Sequence, residues 1–150
     1  MAAPHRARGY PFANHCPARL VLSGAWGKAN VMKSCLIVDD SSIIRKVARR
    51  FLEDMDFVVD EAEDGQDAYD KCTREMPDVI LLDWQMPVMG GLEFLKALRG
   101  YAGGDKPAVI YCTTERDIGH IAMARKAGAN DHMLKPFDQA MLEAKFQPFV

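Results

Sequence analysis

The sequence predicts an α/β domain built as a (βα)5 doubly wound parallel sheet, and three observations predict it. First, the runs Cys35-Leu36-Ile37-Val38, Val79-Ile80-Leu81-Leu82 and Val109-Ile110-Tyr111-Cys112 are apolar throughout rather than alternating. That is the pattern of parallel strands buried on both faces. Second, segments of helical period separate these runs. Third, the runs end in chemically loaded residues: Asp39-Asp40, Asp83 and Thr113, with His132-Met133-Leu134 running into Lys135.

The elements follow in order from Lys33. After the first strand, Ser41 or Ser42 can cap a helix whose apolar positions Ile43, Ile44, Val47, Ala48, Phe51, Leu52 and Met55 recur at helical spacing. Arg45, Lys46, Arg49 and Arg50 lie largely off that stripe. Phe57-Val58-Val59 begins the second strand, and Asp64-Gly65 turns it into a helix reaching about Arg74. Pro77 precedes the third strand. Leu92 to Leu98 is helical, closed by Gly100 and the Gly103-Gly104 turn. The fourth strand follows Pro107, and a helix from about Asp117 stops at Gly128. Asp131 to Leu134 makes the fifth strand, and Asp138 can cap a last short helix. Right-handed crossovers then give a sheet with helices on both faces, in the flavodoxin-like strand order 2-1-3-4-5.

At 150 residues, 49% hydrophobic and 27% charged, the chain suits one domain of ordinary soluble composition. No apolar stretch approaches the roughly 20 residues of a membrane span. Cys16, Cys35, Cys72 and Cys112 lack metal-ligand spacing, which fits a reduced, cytoplasmic protein. Residues 1–31 carry Arg6, Arg8, Arg19 and Lys28 and no acid, and show no sustained period. They read as a disordered N-terminal extension, or as sequence upstream of a natural start at Met32. The remaining stretch, 32–150, holds 15 basic and 21 acidic residues, a net of −6, which argues against non-specific nucleic-acid binding. It leaves no room for a separate output domain.

Open parallel sheets bind ligands beyond the carboxyl ends of their strands. Three carboxylates, a hydroxyl and an ammonium should therefore meet at one sheet edge. Crowded carboxylates repel one another and resist ionisation. A hard cation such as Mg²⁺ relieves that repulsion, taking one or two carboxylates and leaving positions for water and phosphate oxygens. Asp83, on the strand beside the first, can serve as ligand and as nucleophile toward phosphorus. Lys135 and Thr113 can hold phosphoryl oxygens as point charge and hydroxyl donor. Each residue alone is what an ordinary strand end or surface lysine looks like. Together, at four strand ends, they point to phosphoryl chemistry.

The sequence resembles the receiver domain of two-component response regulators, most closely the single-domain CheY-like type, from about Lys33 to Phe146. The matching segments are Leu36-Ile37-Val38-Asp39-Asp40-Ser41, Glu63-Asp64-Gly65, Leu82-Asp83-Trp84-Gln85-Met86-Pro87, Thr113-Thr114-Glu115, Ala127-Gly128-Ala129 and Lys135-Pro136-Phe137. Spacings of 30 residues from Asp83 to Thr113 and 22 from Thr113 to Lys135 fit as well. The resemblance implies that Asp83 is the phosphoacceptor. Asp40, Asp83 and the backbone carbonyl of Gln85 would bind Mg²⁺ directly, and Asp39 through water. Lys135 would contact the phosphoryl group, before a cis Lys135-Pro136 peptide. Thr113 would move toward the phosphoryl oxygens, vacating space for the ring of His132, where Tyr or Phe is more usual. His132 reads as a packed core-edge imidazole, with a pH-sensing role left open.

The implied partners are a histidine kinase or phosphotransfer protein and a downstream protein reading the fourth helix, fifth strand and last helix. A phosphatase would be a third. Neither nucleic acid nor membrane is expected, and catalysis is limited to the protein's own phosphorylation and dephosphorylation. Chemotaxis-like use is favoured over a phosphorelay adaptor or phosphate sink. Gly90 replaces a common Asp and weakens a helix cap, Thr114 is larger than usual, and Gln85 and Glu115 occupy positions that influence dephosphorylation. Two other classes fit less well. A Mg²⁺-dependent aspartyl phosphatase needs a second acid two residues after the nucleophile, where Gln85 stands. A flavin carrier would place a phosphate against Asp39-Asp40.

Overall fold

The structure, a computed structural model, describes residues 20–23, 28–114 and 118–150. It divides into a unit over Met1–Met32 and a unit over Lys33–Val150. In the first, Leu20–Ser23 pairs antiparallel with Lys28–Val31. The sequence predicts a disordered extension there; this hairpin is what is described of it, and residues 1–19 and 24–27, with Cys16, lie outside the described residues. A lone two-stranded hairpin is marginally stable in water.

The second unit alternates strand and helix five times: β1 (Ser34–Val38), α1 (Ser42–Asp54), β2 (Val58–Ala62), α2 (Gly65–Arg74), β3 (Val79–Asp83), α3 (Gly91–Arg99), β4 (Ala108–Thr113), α4 (Ile118–Ala127), β5 (Asp131–Leu134) and α5 (Gln139–Phe146). The strands are parallel in the order β2-β1-β3-β4-β5, the predicted 2-1-3-4-5.

Strand parity explains the unbroken apolar runs. Leu36, Val38, Ile80, Leu82, Val109 and Tyr111 enter one core cluster with α2, α3 and α4 residues such as Ala68, Phe94 and Ala124. Their neighbours Cys35, Ile37, Val79, Leu81, Ile110 and Cys112 enter the opposite cluster with Ala48 and Leu52 of α1 and Leu142 and Phe146 of α5. Burial pushes the Cys72 and Cys112 thiols up to about 12, so they act as small apolar groups.

Side-chain caps start three helices. Ser41 accepts from the Ile44 amide at 3.3 Å, Asp64 from Asp67 at 2.8 Å and Asp138 from Met141 at 2.8 Å. Gly90, at the head of α3, makes no side-chain cap bond. Gly128 ends α4 with φ +116°, a conformation that favours glycine. The apolar stripe predicted for α1 is too wide. Ala48 and Leu52 are buried, but Ile43 and Val47 are 70% and 39% exposed. At about 100° per residue they point roughly 140° and 100° away from Ala48, beyond what one packed face covers.

Candidate phosphoacceptor site

Register brings the predicted residues together. Val38 pairs with Leu82, so the next residues, Asp39 and Asp83, adjoin at the carboxyl edge of β1 and β3. Asp83 pairs with Cys112, Cys112 with Met133, and Thr113 with Leu134. Asp39, Asp83 and Lys135 thus share the parity of the α1–α5 face, and Thr113 has the opposite one.

Asp39, Asp40 and Asp83 each offer a carboxylate oxygen, all within 4.8 Å of one another. Asp39 and Asp83 are 3% and 8% exposed, whereas Asp40 is open to solvent. Lys135 Nζ donates to Oδ2 of Asp39 at 2.7 Å and to Oδ1 of Asp83 at 3.0 Å. Burial, then the Asp39 charge, pushes the Asp83 carboxyl up to about 6, with Lys135 opposing. Burial acts to lower the Lys135 ammonium, but its hydrogen bonds to Asp39 and Asp83 and the charges of those two acids together outweigh it, and the net shift is upward. Three hard oxygen donors facing one mouth suit Mg²⁺, which keeps open positions for water and phosphate oxygens. A carboxylate at such a mouth can attack phosphorus.

The framework of the site is tightly held. Asp39 Oδ1 accepts the Ser41 amide at 2.9 Å, and the Asp39 amide donates to the Ala62 carbonyl at 3.1 Å. Arg45 of α1 donates to the Asp39 carbonyl at 2.6 Å and to Glu61 of β2 at 2.9 Å. Behind Asp83, a Cβ on Gly91 would lie 2.1 Å from the Asp83 carbonyl oxygen, so α3 can approach this closely only with glycine.

Thr113 is 2% exposed at the end of β4, and its carbonyl accepts the Lys135 amide at 2.9 Å. Gln85 is exposed in the loop after Asp83, and Glu115 lies outside the described residues. His132 is half-buried on β5, in register with Tyr111 and on the far side of the sheet from the acid–lysine cluster. The Lys135-Pro136 peptide is cis.

Sequence reasoning missed three supports. Arg45 reaches back to the site from α1. Asp131 accepts from Lys145 of α5 at 3.0 Å and lies 3.6 Å from Arg125 of α4. His120 of α4 stacks on Trp84. Their partners are distant in the chain or on other elements, so no local motif announces them.

The comparisons agree with this fold. The family model of the response regulator receiver domain matches residues 35–147. A chemotaxis protein CheY homolog of Campylobacter jejuni is 37% identical over 115 residues, covering 75% of this chain and 88% of the relative. The structure of the chemotaxis response regulator CheY4 of Vibrio cholerae superposes with a TM-score of 0.76 at 33% identity, covering 80% of this chain and all of that one. A CheY-like receiver domain protein of Methanospirillum hungatei follows with a TM-score of 0.71 at 26% identity, covering 78% of this chain and 92% of its own. Matched by that family model over most of its length and by CheY relatives at 37% and 33% identity, the chain belongs to the response regulator receiver family and is CheY-like.

Proposed function

We propose that Asp83 accepts a phosphoryl group from the phosphohistidine of a histidine kinase or phosphotransfer protein, and that this switches a partner-binding surface on the receiver unit over 32–150. The observation that carries the reading is the Lys135 ammonium bridging two nearly buried carboxylates beside a third, exposed one. In the transfer, an Asp83 carboxylate oxygen forms the bond to phosphorus as the P–N bond breaks and the donor imidazole leaves. Asp40, Asp83 and the Gln85 carbonyl would hold Mg²⁺, with Asp39 acting through water. The ion supplies neutralisation of charge on the phosphoryl oxygens. Lys135 turns from Asp83 to one phosphoryl oxygen, and Thr113 donates its hydroxyl to another. No substrate is turned over beyond the protein's own phosphoryl group.

A donor protein must cover the mouth beside Asp40. Ile43 and Val47, exposed one turn apart at the start of α1, offer apolar area there. The output surface is α4, β5 and α5, where Asp131, Arg125 and Lys145 already link the three elements. Both partners are proteins, with a phosphatase as a third, and the site of action is the cytoplasm. Among the described residues no helix is long and apolar enough to cross a membrane. CheY relatives favour a chemotaxis-like pathway; the alternative is an adaptor or phosphate sink in another phosphorelay.

Incubation with Mg²⁺ and acetyl phosphate, followed by intact mass measurement, tests the reading. One phosphoryl addition, labile at high pH and missing in Asp83→Asn, is expected. An adduct that survives that substitution, or no adduct, refutes it.

A further inference from the structure

The residue after the phosphoacceptor, Trp84, is gripped by two rings from different elements. The His120 imidazole of α4 stacks on its indole with centroids 4.4 Å apart and planes 26° from parallel. Tyr111 of β4 meets the indole edge-on at 5.3 Å and 80°. Alongside opens a groove of about 350 Å³ lined by Trp84, Met86, Gly91 and Met123, so the indole is not enclosed as a core ring would be. His120 is the third residue of α4, which begins at Ile118, soon after Thr113 ends β4.

Under the reading proposed above, on which this inference rests, the Thr113 hydroxyl must approach a phosphoryl group on Asp83. Thr113 is 2% exposed and joined to the head of α4 by a short connection. Its displacement therefore has to carry the first turn of α4, and His120 with it, relative to Trp84. We propose that His120 is a positioning residue for this switch, latching the head of α4 onto Trp84 in the unphosphorylated arrangement. A contact made in one of two arrangements biases the equilibrium toward it, whatever its absolute strength. The stack therefore slows phosphoryl uptake, and breaking it shifts the population toward the arrangement in which Thr113 can reach the phosphoryl group.

The test compares wild type, His120→Ala and His120→Phe by rate of phosphoryl uptake from acetyl phosphate and by Mg²⁺ affinity. His120→Ala should take up the group faster, by roughly 2- to 10-fold as one ring pair's stacking allows. His120→Phe, which keeps a ring on Trp84, should return the rate to near the wild-type value, and Mg²⁺ affinity should be unchanged in both. If His120→Ala does not fold, His120→Gln replaces it. An unchanged or slower rate in the ringless variant, the same acceleration in His120→Phe, or a change in Mg²⁺ affinity matching the rate change each overturns the inference. Failure of wild type to accept any phosphoryl group overturns the proposed function, and this inference with it.

Discussion

Lys135 sits closer to Asp39 than to Asp83, 2.7 Å against 3.0 Å, so its ammonium serves as the counter-ion of both carboxylates. Removing it leaves two acids side by side, 3% and 8% exposed, without their cation. Lys135→Ala should therefore push the Asp83 carboxyl further up and leave fewer ionised nucleophiles at neutral pH. Phosphoryl uptake from acetyl phosphate at pH 7 should fall about tenfold or more, as a loss near 1.4 kcal/mol requires. Mg²⁺ titration should still show binding, because Asp40 and Asp83 remain. Parallel rate and Mg²⁺-binding measurements check both halves.

The raised Asp83 carboxyl makes a prediction about stability. Its folded value of about 6 lies above the ordinary 3.8, because burial and Asp39 disfavour the charge. Between those two values the unfolded chain has released a proton that the folded one keeps. Stability therefore falls as pH rises through that window and then levels off. Asp83→Asn removes the effect and should stabilise the Mg²⁺-free protein by about 1–3 kcal/mol at pH 7. The gain should vanish below about pH 4. Urea denaturation at the two pH values, in the presence of a chelator, measures it.

Protons and Mg²⁺ compete for the same oxygens, so ion affinity should drop with pH as well. Below about 6, where Asp83 takes up its proton, affinity should fall by about tenfold per pH unit. Calorimetric titration between pH 5 and pH 8 would show a plateau above that value and a slope beneath it. A flat profile would mean that Asp83 is not a ligand.

Arg99, at the end of α3, joins segments that no motif connects. Its guanidinium donates to the carbonyls of Gly104 and Pro107, each at 2.8 Å, and to the Gly128 carbonyl at 2.6 Å and Asn130 Oδ1 at 3.1 Å. Asn130 in turn accepts the Val109 amide at 2.7 Å. Arg99→Ala should destabilise the fold by about 2–4 kcal/mol, since several half-buried acceptors lose a charged donor together. Arg99→Lys should recover little, because one ammonium cannot span acceptors arranged for a planar fork. Thermal melts of both variants decide it.

Arg99 also shows where reading the chain stops. The strands were legible because both faces of β1, β3 and β4 are buried, which writes each as an unbroken apolar run. The site was legible because its acids and lysine stand at or just beyond strand ends, and strand order alone makes those ends neighbours. Helix faces were less so. The α1 stripe over-called Ile43 and Val47, since an apolar residue at helical spacing carries no mark of whether another element lies over it. Contacts such as Arg99 to Gly128 and Arg45 to Glu61 arise from tertiary approach between residues 29 and 16 positions apart. Residue type and local spacing carry no record of them.

Val88 adopts φ +68° in the loop between β3 and α3, with its side chain 80% exposed. A β-branched residue is strained in this left-handed region, and an exposed valine gains no burial in return. Burial of the side chain thus does not compensate for the strain. Val88→Asn, which tolerates the same conformation, should raise stability by about 0.5–1 kcal/mol. Val88→Gly should do so by less, because glycine gives the unfolded chain more freedom to lose. The loop also borders the site mouth through Gln85, so the substitutions separate two roles. If both variants gain stability and keep their rate with acetyl phosphate but lose rate with a phosphorylated protein donor, the exposed valine is part of the docking surface. If the rates with both donors are unchanged, Val88 contributes only strain. Chemical denaturation paired with the two uptake assays distinguishes these outcomes.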